Sequence, residues 1–575
     1  MHKAIRTLTE KLPLDFRVLC RQFLLRVIDL ESLSIQADVV GFLGQFAGVL
    51  IIISFVFVLR LVYPILFMDD AHTLAFLREI TWPMEQLLIT TTFLLTGLIA
   101  VASWDATFPD RRDIMVLAPL PIKSRTILIA KVSASATVLG LAVLALNLPT
   151  CLVFSALFGS LHGGGLGVAR YFFAYCFTMI AASGFVYFTV LTVQGMTTLL
   201  FPRRIFLRLS AILQLAAFGL FISVYFLEPS TPTTAAFTRG DNAWFVECSP
   251  PYWLLAVMNQ LNGTLPPELN WLAMRAWIGL GVSITGAALS LLLCYVGTMK
   301  RTVEEPDLVP GAGGLHWTPR LGSSLRTALV LFSVRSLTRS RQHRVTFAFF
   351  FSIVLAIALS TLRGELPLGR HIPLSMDFLV PTFVMMGFGA FGLRSVVALP
   401  ISLTANWVLR TTQVCPPEKY IAASRLTMFL LAILPVWLIA AALAIPLRPA
   451  SLVAGHLLVL GLFGSVLVEL CLLGFYKVPF TCSYLPGKLN IHVVFWGMFV
   501  VYMTVVVSIA EYENHALRDP HEFSVLVVLL AMVGAMLWTL NRHRTKHAVL
   551  YFEELPEVQI TTLGLISIPS PRTRE

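Results

Sequence analysis

Charge is what this sequence has least of. Asp, Glu, Lys and Arg make up only 13% of its 575 residues, against about 25% in soluble domains. Hydrophobic residues make up 57%, and the mean hydropathy is +0.80. A chain this apolar cannot cover its surface with polar groups, so its solvent is lipid. Paired cysteines are also missing. The eight cysteines, Cys20, Cys151, Cys176, Cys248, Cys294, Cys415, Cys471 and Cys482, are scattered and form no Cys-x-x-Cys pair. Neither a disulfide framework nor a metal site is implied. A nucleotide-binding loop is missing too. No G-x-x-x-x-G-K-[ST] run occurs, and Gly487-Lys488 is followed by Leu489 without the upstream glycine. Backbone amides therefore have no loop in which to cradle a phosphate. The tract His162-Gly163-Gly164-Gly165 lacks a Gly-x-Ser-x-Gly partner and reads as a tight turn. We expect no catalytic residue, no cofactor and no metal, so the chain is not read as an enzyme. The first 30 residues are charged and periodic, without the apolar run of a cleavable signal.

What is present in quantity is apolar runs of spanning length, which is about 20 residues. They fall at roughly 39–67, 84–103, 126–158, 168–200, 205–227 and 271–297, then at 345–362, 374–400, 421–446, 452–476, 492–510 and 522–541. The expected fold is all-α, a polytopic transmembrane helical bundle of about twelve spans.

The formal charge of +11 is confined to short loops, which points to membrane orientation and not to nucleic acid. One side holds Arg17, Arg21, Arg26, Arg111, Arg112, Lys123, Arg125, Arg203, Arg204 and Arg208. It also holds Lys300, Arg301, Arg335, Arg339, Arg341, Arg344, Arg410, Lys419, Lys477, Lys488, Arg542, Arg544 and Lys546. The opposite loops carry isolated bases such as Arg78, Arg239, Arg363, Arg370, Arg448 and Arg518. The basic side is assigned to the cytoplasm, with both termini there and the chain in a plasma or inner membrane. The longest outer loop, about 228–270, is expected to form a small cap between the fifth and sixth spans.

The chain divides at a Pro- and Gly-rich stretch containing Pro306, Pro310, Gly311, Gly313, Gly314 and Pro319. Residues 1–300 form a first six-span half, 301–324 a cytoplasmic linker, 325–545 a second half and 546–575 a cytoplasmic tail. Each half opens with an amphipathic segment. Leu12, Phe16, Leu19, Phe23, Val27 and Leu30 recur at helical spacing in the first, and Leu321, Leu325, Leu329 and Phe332 in the second. Such helices suit the cytoplasmic interface of a bilayer. Two spans, a cytoplasmic loop and four more spans follow in both halves. Six spans per half makes the halves parallel repeats, related by an axis along the membrane normal.

The loop after the second span is the most informative stretch. It reads Trp104-Asp105, then Asp110-Arg111-Arg112-Asp113-Ile114-Met115-Val116-Leu117-Ala118-Pro119-Leu120-Pro121-Ile122, then Ser124, Arg125 and Lys131. The corresponding loop of the second half reads Asn406-Trp407, Arg410, Pro416-Pro417-Glu418-Lys419 and Arg425. The first of these resembles the coupling loop of ABC-2-type exporter permeases. The lead-in helix resembles that family's elbow helix, and the six-span unit its transmembrane domain. The resemblance implies a membrane-spanning subunit of an ATP-driven exporter, working with a separate ABC ATPase in two copies. It places Asp105, Asp110, Arg111, Arg112, Asp113, Arg410, Glu418 and Lys419 in ATPase-docking loops. Two departures stand out. The second loop lacks the Asp-Arg-Arg-Asp cluster, and one chain holds both six-span units where the family uses one.

Charges inside apolar runs are costly and mark candidate pathways. Glu469 lies in the tenth run and Arg394 in the eighth, at similar expected depth. They are expected to pair or to face a water-filled path. Arg60 is expected to snorkel. Asn147, Gln194 and Gln214 are expected to hydrogen-bond between helices. The alternatives are a secondary transporter with six plus six spans, or a polytopic glycosyltransferase using the acidic pair Asp69-Asp70.

Overall fold

A computed structural model of the chain describes residues 13–27, 39–65, 70–104, 117, 120, 122–160, 164–227, 243–304, 321–365, 375–401, 417–481, 491–546 and 550. The described residues are all-α. Ten of their helices are long and apolar enough to cross a membrane. Apolar side chains that face outward across whole helix lengths, such as Ile52, Phe55, Val56 and Leu59, need a lipid surround. The chain is therefore a multi-pass membrane protein. It forms two compact units, residues 1–316 with 348–369, and residues 317–347 with 370–575. Residues 348–369, which follow the expected linker in sequence, thus pack with the first unit.

In the first unit, α1 (Leu14–Val27) precedes α2 (Val39–Ile65), α3 (Asp70–Ala102), α4 (Ser124–Ser160), α5 (Gly164–Leu200) and α6 (Arg203–Leu227). Two short helices follow, α7 (Ala243–Cys248) and α8 (Pro250–Asn262), and then α9 (Asn270–Glu304). The helix α5 is the hub, packing against α3, α4, α8 and α9. Its buried positions include Tyr171, Ala174, Tyr175, Thr178, Ala182 and Val186, which repeat at three and four residues. Small residues at this seam let backbones approach, which in lipid replaces a hydrophobic drive. Tyr175, Phe154, Phe158, Leu88 and Ile89 fill the centre. The expected cap exists: α7, α8 and a turn of 3₁₀ helix at Pro267–Leu269 lie between α6 and α9, and α8 packs on α3, α5 and α9.

In the second unit, α10 (Ser324–Arg339) leads into α11 (Arg341–Glu365), whose residues from 348 on belong to the first unit. Ser323 caps α10 by accepting from the Arg326 amide at 3.3 Å. Then come α12 (Met376–Val397), α13 (Pro417–Met428), α14 (Leu434–Ala444), α15 (Ala450–Leu472), α16 (Ile491–Ala516) and α17 (Pro520–Lys546). A π turn at Phe429–Ile433 joins α13 to α14. Its cause is local: Pro435 has no N–H to give the carbonyl four residues back, and the helix widens there. The helix α15 packs against α12, α13, α14, α16-adjacent α17 and the π turn, with Val459, Leu460, Phe463 and Leu467 buried.

Candidate functional site: buried polar clusters between helices

Among the described residues, four groups of buried polar side chains link helices within the apolar interior. Two lie in each unit.

The first is centred on Glu85, in the second turn of the span-length part of α3, and it is only 1% exposed. Its Oε1 accepts from the Tyr171 hydroxyl at 3.0 Å and its Oε2 from Asn259 Nδ2 at 2.8 Å. The carboxyl thus ties α3 to α5 and to the cap helix α8. Asn259 is held in turn by Thr264, whose hydroxyl donates to Asn259 Oδ1 at 2.7 Å. Gly263 closes α8 at φ 71°, a left-handed conformation that suits glycine. Arg170 Nε donates to the Leu261 carbonyl at 2.7 Å, and its terminal nitrogens lie where a Cβ on Gly263 would stand. A cavity of about 230 Å³ opens between these parts.

The second group sits deeper in the same unit. Asn147 Nδ2 donates to Thr92 Oγ1 at 3.1 Å and to the Val143 carbonyl at 3.0 Å, and Asn147 Oδ1 accepts from the Tyr175 hydroxyl at 3.0 Å. Gln194 donates to the Trp104 carbonyl, and Gln214 to the Val101 carbonyl at 2.8 Å. All three amides therefore bridge helices, as the sequence suggests. Arg60 is exposed on α2.

In the second unit, His456 on α15 bonds Thr382 on α12 at 3.1 Å and Glu513 on α16 at 2.9 Å. The His456 and Glu513 side chains are both fully buried. Arg448 stands over the Phe378 ring at 3.8 Å, and Phe378 also packs edge-on against His456.

The fourth group contains Glu469. Arg425 reaches it through Nε and through Nη2, the latter at 3.2 Å, and Asn541 Nδ2 donates to its Oε2 at 2.8 Å. This joins α13, α15 and α17. The sequence leaves Arg394 either to pair with Glu469 or to face a water-filled path. Its Nε instead donates to the Cys471 carbonyl at 2.7 Å, and its guanidinium stands over the Phe475 ring at 4.5 Å. The two residues reach the same end of α15, but Glu469 takes its ion pair from Arg425.

The remaining expected site residues are docking-loop residues. Glu418 is half-buried and Lys419 exposed in the first turn of α13. Asp105, Asp110, Arg111, Arg112, Asp113 and Arg410 lie outside the described residues. The described helices next to these loops share a feature. In the first unit, Leu19 and Phe23 of α1 pack on Ile127, Ala130 and Ala134 at the start of α4, with Leu117 and Ile122 alongside. Lys131 Nζ stands 5.2 Å from the Phe23 ring centroid. Burial pushes the Cys20 thiol on α1 up from its ordinary pKa. In the second unit, Leu329 of α10 packs on Tyr420 and Ala423 at the start of α13, with Val478 and Leu550.

No family model, curated protein or solved structure matches the chain.

Glu85, His456 and Glu513 are absent from the sequence-derived site. All three lie within a few residues of the end of an apolar run, where charge is ordinary. The usable signal was the repeated loss of charge around them: Glu85 is followed at once by a long uncharged stretch, and His456 stands between apolar neighbours.

Proposed function

We propose that the chain is the membrane-spanning subunit of an ATP-driven, ABC-2-like exporter that couples to a separate ATPase through its basic loops. In this reading α6 and α16, helices of 25 and 26 residues, complete twelve spans arranged as six plus six. The basic side is cytoplasmic. The ATPase, in two copies, docks beneath the loops that hold Asp105, Asp110, Arg111, Arg112, Asp113, Arg410, Glu418 and Lys419.

One observation carries the reading beyond the sequence resemblance. In each unit, the amphipathic lead-in helix lies on the first turns of the helix that leaves the docking loop: α1 on α4, and α10 on α13. An apolar seat of this kind makes the loop's exit rigid. Movement imposed on the loop is then passed to a long span and is not dissipated in the loop backbone. The buried polar clusters tie neighbouring spans together, so that a unit can tilt as a body.

The test is to tag the chain, extract it from its native host in mild detergent and identify what co-purifies. A stoichiometric ATPase that is lost when Asp110→Lys and Arg112→Glu are introduced supports the reading. A clean chain with no ATPase sinks it, and shifts weight to a secondary transporter in which the buried charges carry the coupling.

A further inference from the structure

The cavity beside Glu85 is walled by an acidic and a basic side chain that no ion pair among the described residues joins. Glu85 forms one wall. Among the described residues its hydrogen-bond partners are Tyr171 and Asn259, both neutral donors. A carboxylate oxygen has two acceptor sites, so each oxygen keeps one free. Arg170 forms another wall, and among the described residues it is held by one hydrogen bond, from Nε to the Leu261 carbonyl, with none from its terminal nitrogens. No ion pair joins Glu85 or Arg170 to any described residue. A carboxylate this buried is costly unless a cation meets it. Trp82, Thr81, Asn262 and Thr264 complete the lining. An indole face suits an ammonium group, while hydroxyls and amides suit an ammonium's N–H donors or a phosphate's oxygens.

We infer that this cavity binds a small zwitterion, with its ammonium group on Glu85 beside Trp82 and its phosphate or carboxylate on Arg170. A ligand of one sign would meet only one of the two walls. A zwitterion meets both walls. A phospholipid headgroup and a soluble zwitterion both carry this pair of groups. Ethanolamine phosphate carries both groups and serves as the probe chemistry in either source. Gly263 is part of the device: a side chain there would displace the Arg170 guanidinium. This inference does not depend on the ATPase reading, since the cavity belongs to the first unit alone.

The full chain, purified in detergent, is titrated with glycerophosphoethanolamine as the soluble probe and with phosphatidylethanolamine in mixed micelles as the lipid probe. Glycerol phosphate and phosphatidylglycerol serve as the probes without ammonium. Binding is read by calorimetry and by ligand retention in native mass spectrometry. We expect the ethanolamine-bearing probe to bind at one site per chain. Glu85→Gln and Arg170→Gln should each weaken it by about tenfold or more, the loss of a charge-assisted contact. The probes without ammonium should bind more weakly and be insensitive to Glu85→Gln. Binding of the lipid alone assigns the site to a headgroup, and binding of both assigns it to the zwitterion whatever carries it. Arg170 is exposed, so Arg170→Gln serves as the readout if Glu85→Gln does not fold. Asn262→Phe fills the cavity without removing a charge and should abolish binding. Equal affinity in wild type, Arg170→Gln and Asn262→Phe, or equal affinity for phosphatidylglycerol and phosphatidylethanolamine, overturns the proposal.

Discussion

His456 and Glu513 meet at 2.9 Å with neither side chain exposed to solvent. The contact links α15 to α16, and Thr382 extends it to α12. Removing one member of a buried pair leaves the other without a partner, which costs about 3–5 kcal/mol when that partner stays charged. We expect Glu513→Ala to lower the melting temperature of the detergent-solubilised chain clearly more than Glu513→Gln, which retains a hydrogen-bonding group. Equal melting of the two variants would show that His456 gains nothing from this side chain.

Arg425 and Glu469 should behave as a coupled pair. Both are largely buried, and neighbours in one network commonly show interaction energies of about 0.5–3 kcal/mol. In a double-mutant cycle with Arg425→Gln and Glu469→Gln, the double variant should be more stable than the sum of the singles predicts. Asn541→Ala should cost about 1 kcal/mol, one hydrogen bond. The same cycle run with Arg394 and Glu469 should give additive losses, because Arg394 is anchored to the Cys471 carbonyl.

The docking of α1 can be read through Cys20. Its thiol sits above the ordinary pKa because it is partly buried. Phe23→Asp places a charge in the apolar seat formed with Ile127, Ala130 and Ala134 and should release the helix. The thiol pKa then falls toward its unburied value, the thiolate fraction at pH 8 rises, and maleimide labelling accelerates. Unchanged labelling would mean that α1 is not held by this face. The other cysteines, replaced by serine, must be silent in the assay.

Gly387 faces the Tyr502 ring where α12 meets α16, and Tyr502 donates its hydroxyl to the Phe383 carbonyl at 2.6 Å. A methyl group at Gly387 has no room. Gly387→Ala should destabilise the chain by about 1–3 kcal/mol through overpacking. Tyr502→Ala in the same chain should recover part of that loss, whereas a backbone effect at Gly387 would leave the double variant no better.

How far the sequence carried this picture follows from what periodicity records. Run length and hydropathy placed most of the helices to within a few residues, because the cost of unsatisfied backbone in lipid forces long continuous helices, but α3 begins at Asp70, well before the run at 84–103. Depth along a helix was equally legible, and Arg394 and Glu469 do reach the same end of α15. Azimuth was not. Which side of α15 carries Glu469 depends on how α13 and α17 pack, and an ion pair needs azimuth as well as depth. Glu85 and Glu513 escaped for a related reason. Near the end of an apolar run a charge is equally compatible with headgroups and with a buried network, and only Tyr171, Asn259 and His456 distinguish the two.

The widened turn at Phe429–Ile433 fixes the rotational phase of everything beyond it. One surplus residue turns the rest of the helix by about 100°. Arg425 lies before that shift and grips Glu469, while Trp437 lies after it and donates to the Leu457 carbonyl at 2.9 Å. Both contacts are made to α15, twelve residues apart on that helix. An unbroken α-helix through Pro435 would point one of the two elsewhere. The proline thus works as a phase corrector, keeping one long helix in contact with a single neighbour from end to end.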